Sequence, residues 1–176
     1  TFRQTSDIHL SDVDFTPIGG FIINFGDPSE YFYFYGNYDG GNYTISGLNV
    51  KNLDDNNESF GLFGYVQNGT VKNVRLVGPC VWAGNIWHAN GVLIGQTDNA
   101  TVENCVVINP SLTSRSAIIG INSSSTLRNL YFYDNANNYA LVGTNDDGTL
   151  TRVARARKVT LGSGVTVSPA ASDPAN

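Results

Sequence analysis

The hydrophobic and polar positions of this chain recur in blocks. In each block a short apolar segment ends in glycine, and six residues later a threonine opens the pattern Thr-apolar-x-Asn-apolar. The last block has Arg152 in place of the asparagine, and an earlier partial copy over residues 44–50 has Gly47 there. The glycines are Gly64, Gly95, Gly120 and Gly143, and the threonines, 23 to 31 residues apart, are Thr44, Thr70, Thr101, Thr126 and Thr149.

One block, residues 70–76, shows what each unit requires. Its apolar residues are Val71, Val74 and Leu76, so the alternation of a strand slips by one position at Asn73. Asparagine tolerates the left-handed backbone conformation, so we predict that the chain bends there and returns the next apolar side chain to the same interior. The same corner is predicted at Asn104 and Asn129, and a second corner at the recurrent Gly64, Gly95, Gly120 and Gly143.

Short strands joined by corners in a repeat of this length are typical of a parallel β-helix. We therefore predict an all-β, single-stranded parallel β-helix (β-solenoid) of about five coils over residues 1–168. An N-terminal cap region and a C-terminal partial rung complete it, and residues 169–176 form a linker or frayed tail. The low charge (14%), the 19 glycines and the aromatic content (11%) suit neither a helix bundle nor a disordered chain. Two core columns are expected, Leu62, Leu93, Ile118, Leu141 and Val71, Val102, Leu127, Leu150.

The repeat resembles a known family. Gly61-Leu62-Phe63-Gly64, followed by Thr70-Val71-Lys72-Asn73-Val74, is similar to the GLUG repeat of bacterial surface proteins. Segments 2–10, 15–19 and 38–48 resemble the lead-in to such arrays, and later copies drift from the Gly-Leu-x-Gly form. The resemblance implies a right-handed β-helix in an extracellular or bacterial cell-surface setting, as in adhesins or beside the protease domain of IgA-cleaving metallopeptidases. It implies no particular chemistry.

The longest interval between threonines, from Thr70 to Thr101, contains both tryptophans of the chain. Trp82 and Trp87, together with His88, can form a flat platform for sugar rings or an anchor for a protein partner. In the alternative interpretation, the insertion folds back and its tryptophans seal a small core of their own.

A second candidate surface is the aromatic run over residues 31–35. Alternation places Phe32 and Phe34 on one face of a strand and Tyr31, Tyr33 and Tyr35 on the other. If the phenylalanines point inward, the tyrosines line the outer surface and can bind a ligand. The preferred alternative is that this run caps the first coil against edge-to-edge pairing.

The sequence contains no assembled catalytic site. Lys72, Glu103 and Arg128 follow successive threonines, and an ion-pair ladder explains them without an active site. No metal or cofactor is predicted, although the acidic, Asn-rich turns offer oxygen ligands that could bind calcium. Cys80 and Cys105 could be bridged or free, and Cys105 is expected to be a small buried residue.

Charge and hydropathy narrow the choice of partners. The net charge of −5 disfavours nucleic acid, and no apolar stretch approaches a membrane span, so no membrane insertion is expected. We expect a non-catalytic, extracellular or cell-surface domain for adhesion or ligand presentation, which binds a glycan or a host surface protein beside neighbouring domains of a longer chain. The alternatives are a polysaccharide-active β-helix enzyme and an accessory domain of a larger secreted protease.

Overall fold

The computed structural model describes residues 1–10, 15–22, 30–51, 59–82, 89–112, 117–133, 140–160 and 166–169. Within these residues the protein is all-β, with twenty strands and no helix. The first ten strands are β1 Phe2–Arg3, β2 Ile8–His9, β3 Gly20–Ile22, β4 Glu30–Phe32, β5 Asn37–Asp39, β6 Thr44–Ser46, β7 Asn49–Lys51, β8 Ser59–Phe60, β9 Phe63–Gln67 and β10 Thr70–Lys72. The others are β11 Arg75–Val77, β12 Cys80–Trp82, β13 Ala89–Asp98, β14 Thr101–Ile108, β15 Ser111–Leu112, β16 Ala117–Ser123, β17 Thr126–Tyr133, β18 Ala140–Asp146, β19 Thr149–Thr160 and β20 Thr166–Pro169.

Most strands pair in parallel with the strand one repeat further along the chain. In the largest sheet, β1, β5, β10, β14, β17 and β19 form six layers in register. In the same sheet, β2, β6 and β11 lead to the second half of β14. A second sheet contains β7, β12 and β15, and a third contains β8, β9, β13, β16 and β18. Antiparallel pairing is confined, among the described residues, to the β3–β4 hairpin and the β19–β20 pair.

The core lies between these parallel sheets and is built from columns of identical or similar side chains. Val71, Val102 and Leu127 stand in register and are fully buried, and Leu150 continues their column at the half-buried end. The second predicted column is buried as well, because Leu62, Leu93, Ile118 and Leu141 are each at most 4% exposed. Each layer therefore buries its apolar residues against the next one.

The structure corrects the predicted alignment of the first repeat. Thr44 pairs with Arg75, whereas the position opposite Thr70 belongs to Asn37. The turn over residues 40–43 stands where later layers have a single asparagine corner, and this longer turn shifts the alignment that spacing suggests. Gly47 therefore corresponds to Gly78. The strands that precede the two glycines are paired with each other, and both glycines have positive φ.

The predicted corner at the recurrent glycines is also wrong. Gly64, Gly95, Gly120 and Gly143 lie inside strands β9, β13, β16 and β18, and none has positive φ. A Cβ atom on Gly64 would lie 2.3 Å from the carbonyl oxygen of Gly19, and one on Gly143 would lie 2.5 Å from that of Gly120. Glycine is required at these two positions because neighbouring backbones approach closely, not because the chain turns.

The corner lies four residues after each of these glycines. Asn68, Asn99, Ser124 and Asp147 have φ between 46° and 56°. At the other corner, Asn73, Asn104 and Asn129 have φ of 55°, 55° and 53°, the conformation expected of them, and Arg152 takes it in the last layer.

The described residues contain no helix with the length and hydrophobicity needed to cross a lipid bilayer. The end of β19 pairs antiparallel with β20, which ends at Pro169. The predicted tail beyond it, residues 170–176, lies outside the described residues.

Candidate functional site

Four tyrosines form a contiguous surface, which we call the tyrosine cluster: Tyr31, Tyr33, Tyr35 and Tyr65. The ring of Tyr33 lies at its centre, with ring centroids 5.4 Å from Tyr31, 5.7 Å from Tyr35 and 4.5 Å from Tyr65. Tyr31 and Tyr35 are 55% and 59% exposed. The three tyrosines singled out in the sequence are thus brought together, and a fourth joins them from the next layer.

Backbone pairing holds this cluster in place. Phe34 forms a parallel bridge with Val66, and its N–H donates to the carbonyl oxygen of Tyr65 at 2.9 Å. This bridge stacks the segment around Phe34 on β9 and brings Tyr33 against Tyr65. Sequence spacing does not reveal Tyr65, because the register between residue 34 and residue 66 depends on the inserted β3–β4 hairpin.

Only one of the two phenylalanines, Phe34, points inward. Phe34 packs against buried Phe63, with ring centroids 5.1 Å apart. Phe32 is 50% exposed, because it ends β4 and pairs with Gly20 across the antiparallel hairpin instead of joining the parallel sheet. Simple alternation across residues 31–35 therefore fails where the chain leaves the hairpin.

Polar groups border the cluster on the side of the next layer. Gln67 and Asp98 are paired in register, and Gln67 Nε2 donates to Asp98 Oδ2 at 2.8 Å. Burial and, after it, the negative charge of Asp98 raise the pKa of Tyr65 to about 12. Burial also raises the pKa of Tyr33, with smaller contributions from Tyr31, Tyr35 and Asp98. Both hydroxyls stay protonated at neutral pH and can donate hydrogen bonds.

An apolar pocket of about 420 Å³ adjoins the tyrosine cluster at the N-terminal end of the stack. Tyr33 and Tyr35 belong to both features. The pocket is lined by Phe2, Ile18, Tyr33, Phe34, Tyr35, Gly36, Tyr38 and Phe63.

The predicted tryptophan platform lies mostly outside the residues that the structure describes. Trp82 contributes backbone to β12, opposite Lys51 of β7, and its side chain lies outside the described part. Trp87 and His88 also lie outside the described residues. Their predicted role in binding stays a prediction.

The charged column forms an ion-pair ladder. Lys72 and Asp39 are 3.9 Å apart, and Arg128 both donates a hydrogen bond to Glu103 and forms a salt bridge with it. The strand registers place Asp39, Lys72, Glu103 and Arg128 on four successive layers. Arg3, in β1, lies opposite Asp39. Sequence reasoning missed the acid at position 39 because the first repeat was misaligned.

A ladder of asparagines runs beside the charges. Asn129 Nδ2 donates to Asn104 Oδ1 at 2.7 Å, Asn104 Nδ2 to Asn73 Oδ1 at 3.4 Å, and Asn73 Nδ2 to Asp39 Oδ1 at 2.8 Å. Each amide both turns the chain and links adjacent layers. These contacts indicate a structural role for this face.

The Asn73 hydrogen bond lowers the pKa of Asp39, assisted by the backbone N–H of Gly41 and the charges of Lys72 and Arg3. Because the folded pKa lies below the unfolded value, Asp39 contributes stability above the unfolded pKa and loses it as pH falls through the folded pKa. Substituting Asn73→Gly keeps the left-handed backbone but removes the amide. We expect the NMR titration midpoint of Asp39 to rise and the gain in stability from acidic to neutral pH to shrink. An unchanged midpoint would show that the amide does not hold the carboxylate.

The cysteines and the acidic residues come together in no metal site within the part of the chain that the structure describes. Neither Cys80 nor Cys105 forms a disulfide, and burial raises the pKa of Cys105, which is 2% exposed, to about 12. Among the residues that the structure describes, no three His, Cys, Asp or Glu side chains lie together as a metal site would require.

The fold and the site thus define a layered, parallel all-β protein with an aromatic surface near its N-terminal end. Comparison with protein-family models, with curated proteins and with solved structures found no match to this chain. The GLUG resemblance stays a prediction from the residues that suggest it.

Proposed function

We propose that the chain is a right-handed, single-stranded parallel β-helix that serves as a non-catalytic adhesion or ligand-presentation domain of a bacterial surface or secreted protein. Its ligand, in this proposal, is a glycan that binds at the tyrosine cluster. Neighbouring domains of a longer chain would position it.

Recurrent corners support the β-helix. Left-handed residues occupy equivalent positions in successive layers at three places along the repeat. Parallel strands in register connect these places, as a coiled chain that stacks on itself requires. The three sets are Asn68, Asn99, Ser124, Asp147; Asn73, Asn104, Asn129, Arg152; and Gly47, Gly78, Asn109.

The tyrosine cluster is the observation that carries the ligand proposal. Sugar rings have apolar faces that pack on aromatic rings and hydroxyls that need polar partners, and the cluster offers both. Tyr31 and Tyr35 present exposed ring surface, while Asp98 and Gln67 supply a carboxylate and an amide at its border. Tyr33 and Tyr65 add protonated hydroxyls. Few rotatable bonds separate these groups from a packed core, so little entropy is lost on contact.

The charged ladder favours a structural role over catalysis. A glycan-cleaving site needs a pair of carboxyl groups that flank the scissile bond, one acting as acid and the other as base or nucleophile. Here Arg128 contacts Glu103 and Lys72 faces Asp39, so the charges stabilise one another across layers. We therefore place ligand binding on the tyrosine cluster and not on this ladder.

A glycan array screened with the purified chain tests the proposal, with host surface proteins printed beside the glycans. We expect a specific glycan signal that Tyr35→Ala weakens about tenfold, as loss of a well-placed aromatic contact does. Tyr131→Ala serves as the matched control, because Tyr131 is a half-buried tyrosine in β17, outside the cluster. A repeat in EDTA tests whether calcium takes part.

Two results would contradict the proposal. A folded protein that binds no glycan would remove the ligand assignment, as would a signal restricted to the protein spots. Equal binding by the Tyr35→Ala and wild-type proteins would remove the site assignment.

A further inference from the structure

The exposed apolar side chains of this protein are concentrated at one end. All large hydrophobic side chains that are exposed, within the part of the chain described, lie between residues 2 and 43. Phe2, which is 61% exposed, also lines the apolar pocket. It comprises Phe2, Ile8, Ile18, Tyr31, Phe32, Tyr35 and Tyr43. Such a concentration marks an interaction surface.

In the third sheet, the opposite end of the stack is polar among the described side chains. Its last layer in the third sheet is β18, where Thr144, Asn145 and Asp146 are exposed. The interior column that begins at Phe34 and Val66 ends, through Thr97 and Asn122, at Asn145. If two copies stacked head to tail, the polar side chain of Asn145 in one copy would therefore lie against the ring of Phe34 in the other. Along this column of described residues, head-to-head stacking therefore brings apolar surface onto apolar surface, and head-to-tail stacking does not.

The N-terminal layer also presents open strand edges. Among the described residues, β1 pairs only with β5 and β2 only with β6, so one side of each strand is available. Gln4, which is 5% exposed, holds the corner between them by donating to the carbonyl oxygens of Ser6 and Thr44. Gln4 therefore orders this corner, and an ordered strand edge can pair with another strand.

Two copies of this edge are complementary to each other when they run in opposite directions. If a second copy pairs antiparallel about Thr5, Phe2 lies opposite Ile8, and Arg3 lies opposite Asp7. All four side chains are exposed in the single chain, and Asp7 Oδ1 also accepts a hydrogen bond from the backbone N–H of Thr44 at 2.7 Å. One pair is apolar and the other has opposite charges. A two-fold interface needs this kind of self-complementarity.

We propose that two copies of this chain associate head to head through their N-terminal layers, with β1 of each copy pairing antiparallel with β2 of the other. Ile8 of the second copy covers Phe2 at the mouth of the apolar pocket. Arg3 of each copy pairs with Asp7 of the other. The proposed contacts use Phe2, Arg3, Asp7 and Ile8, none of which belongs to the tyrosine cluster, and the dimer would place two tyrosine clusters on one assembly.

Analytical ultracentrifugation of the 176-residue chain over a range of concentrations tests this interface. We expect a monomer–dimer equilibrium, and we expect Arg3→Glu to weaken the dimer at least about tenfold because it sets like charges opposite each other across the interface. Asp7→Lys should weaken the dimer similarly, and combining the two substitutions should restore it. Arg3→Glu also sets a glutamate opposite Asp39 within the chain, a contact that the double variant keeps, so recovery of the dimer in that variant reports on the pairing between the two copies. Phe2→Ser removes the apolar contact and should also give monomer, while Arg152→Glu, a charge reversal in the last layer, should have no effect.

The circular dichroism spectrum and the melting temperature of each variant show whether it is folded. A wild-type chain that stays monomeric at every concentration overturns the proposal. A dimer that tolerates both Arg3→Glu and Phe2→Ser overturns it too, because the contact would then lie elsewhere. Failure of the folded double variant to dimerise would disprove the antiparallel register.

Discussion

Replacing Leu127 with alanine is expected to lower the free energy of unfolding by about 2–5 kcal/mol, because it opens a cavity in the centre of the stack. Leu127 is fully buried and lies between Val102 of the preceding layer and Leu150 of the following one. Val102 cannot fill the space without disturbing β14, which is paired with a strand on each side. Urea denaturation followed by circular dichroism measures the loss.

Leu150→Ala is the matched control for that experiment. Leu150 belongs to the same column and the same repeat position, but it lies in the last layer and is only half-buried. Because less apolar area leaves water there, the expected cost is about 1 kcal/mol. Equal losses at the two positions would contradict the layered core.

Gly64→Ala is expected to destabilise the protein by about 3 kcal/mol, at the upper end of overpacking effects. The new methyl group would lie 2.3 Å from the Gly19 carbonyl oxygen and 3.0 Å from that of Ser59. Both are backbone atoms in neighbouring segments, so relief requires the layers themselves to separate. Thermal and urea unfolding of the variant measure the effect.

Gly78→Ala distinguishes close approach from a turn requirement. Gly78 has φ of +60°, and a Cβ atom there would meet nothing within 4 Å. Its substitution carries only the left-handed backbone penalty of about 1–2 kcal/mol. If Gly78→Ala were the more damaging change, the assignment of Gly64 to a close backbone contact would be wrong.

Local chemistry made part of the fold predictable. An asparagine between two apolar alternations interrupts the strand period, and the backbone at Asn73, Asn104 and Asn129 is left-handed. The spacing from each threonine to the next apolar residue is constant, so Val71, Val102 and Leu127 fall into register without any knowledge of the sheets. These features depend on residues within a few positions of one another.

The sequence misleads where distant segments meet. Because glycine favours turns, the sequence predicts a corner at Gly64, yet the role of Gly64 depends on Gly19, 45 positions earlier. Thr44 and Thr70 open similar patterns, but the longer turn over residues 40–43 moves Thr44 to the strand opposite Arg75. Alternation places Phe32 on the same face as Phe34, and the antiparallel hairpin exposes Phe32.

By itself, the sequence determined the all-β class, the repeat, the asparagine corners and the apolar columns, because each depends on backbone preference and hydrophobic spacing within one block. Only the tertiary structure decided which residues of different layers meet. It joined Tyr65 to Tyr33, set Asp39 opposite Lys72, and collected the exposed apolar side chains at the N-terminal end. Those outcomes depend on the register between layers, which is set by the β3–β4 hairpin and by the turn over residues 40–43.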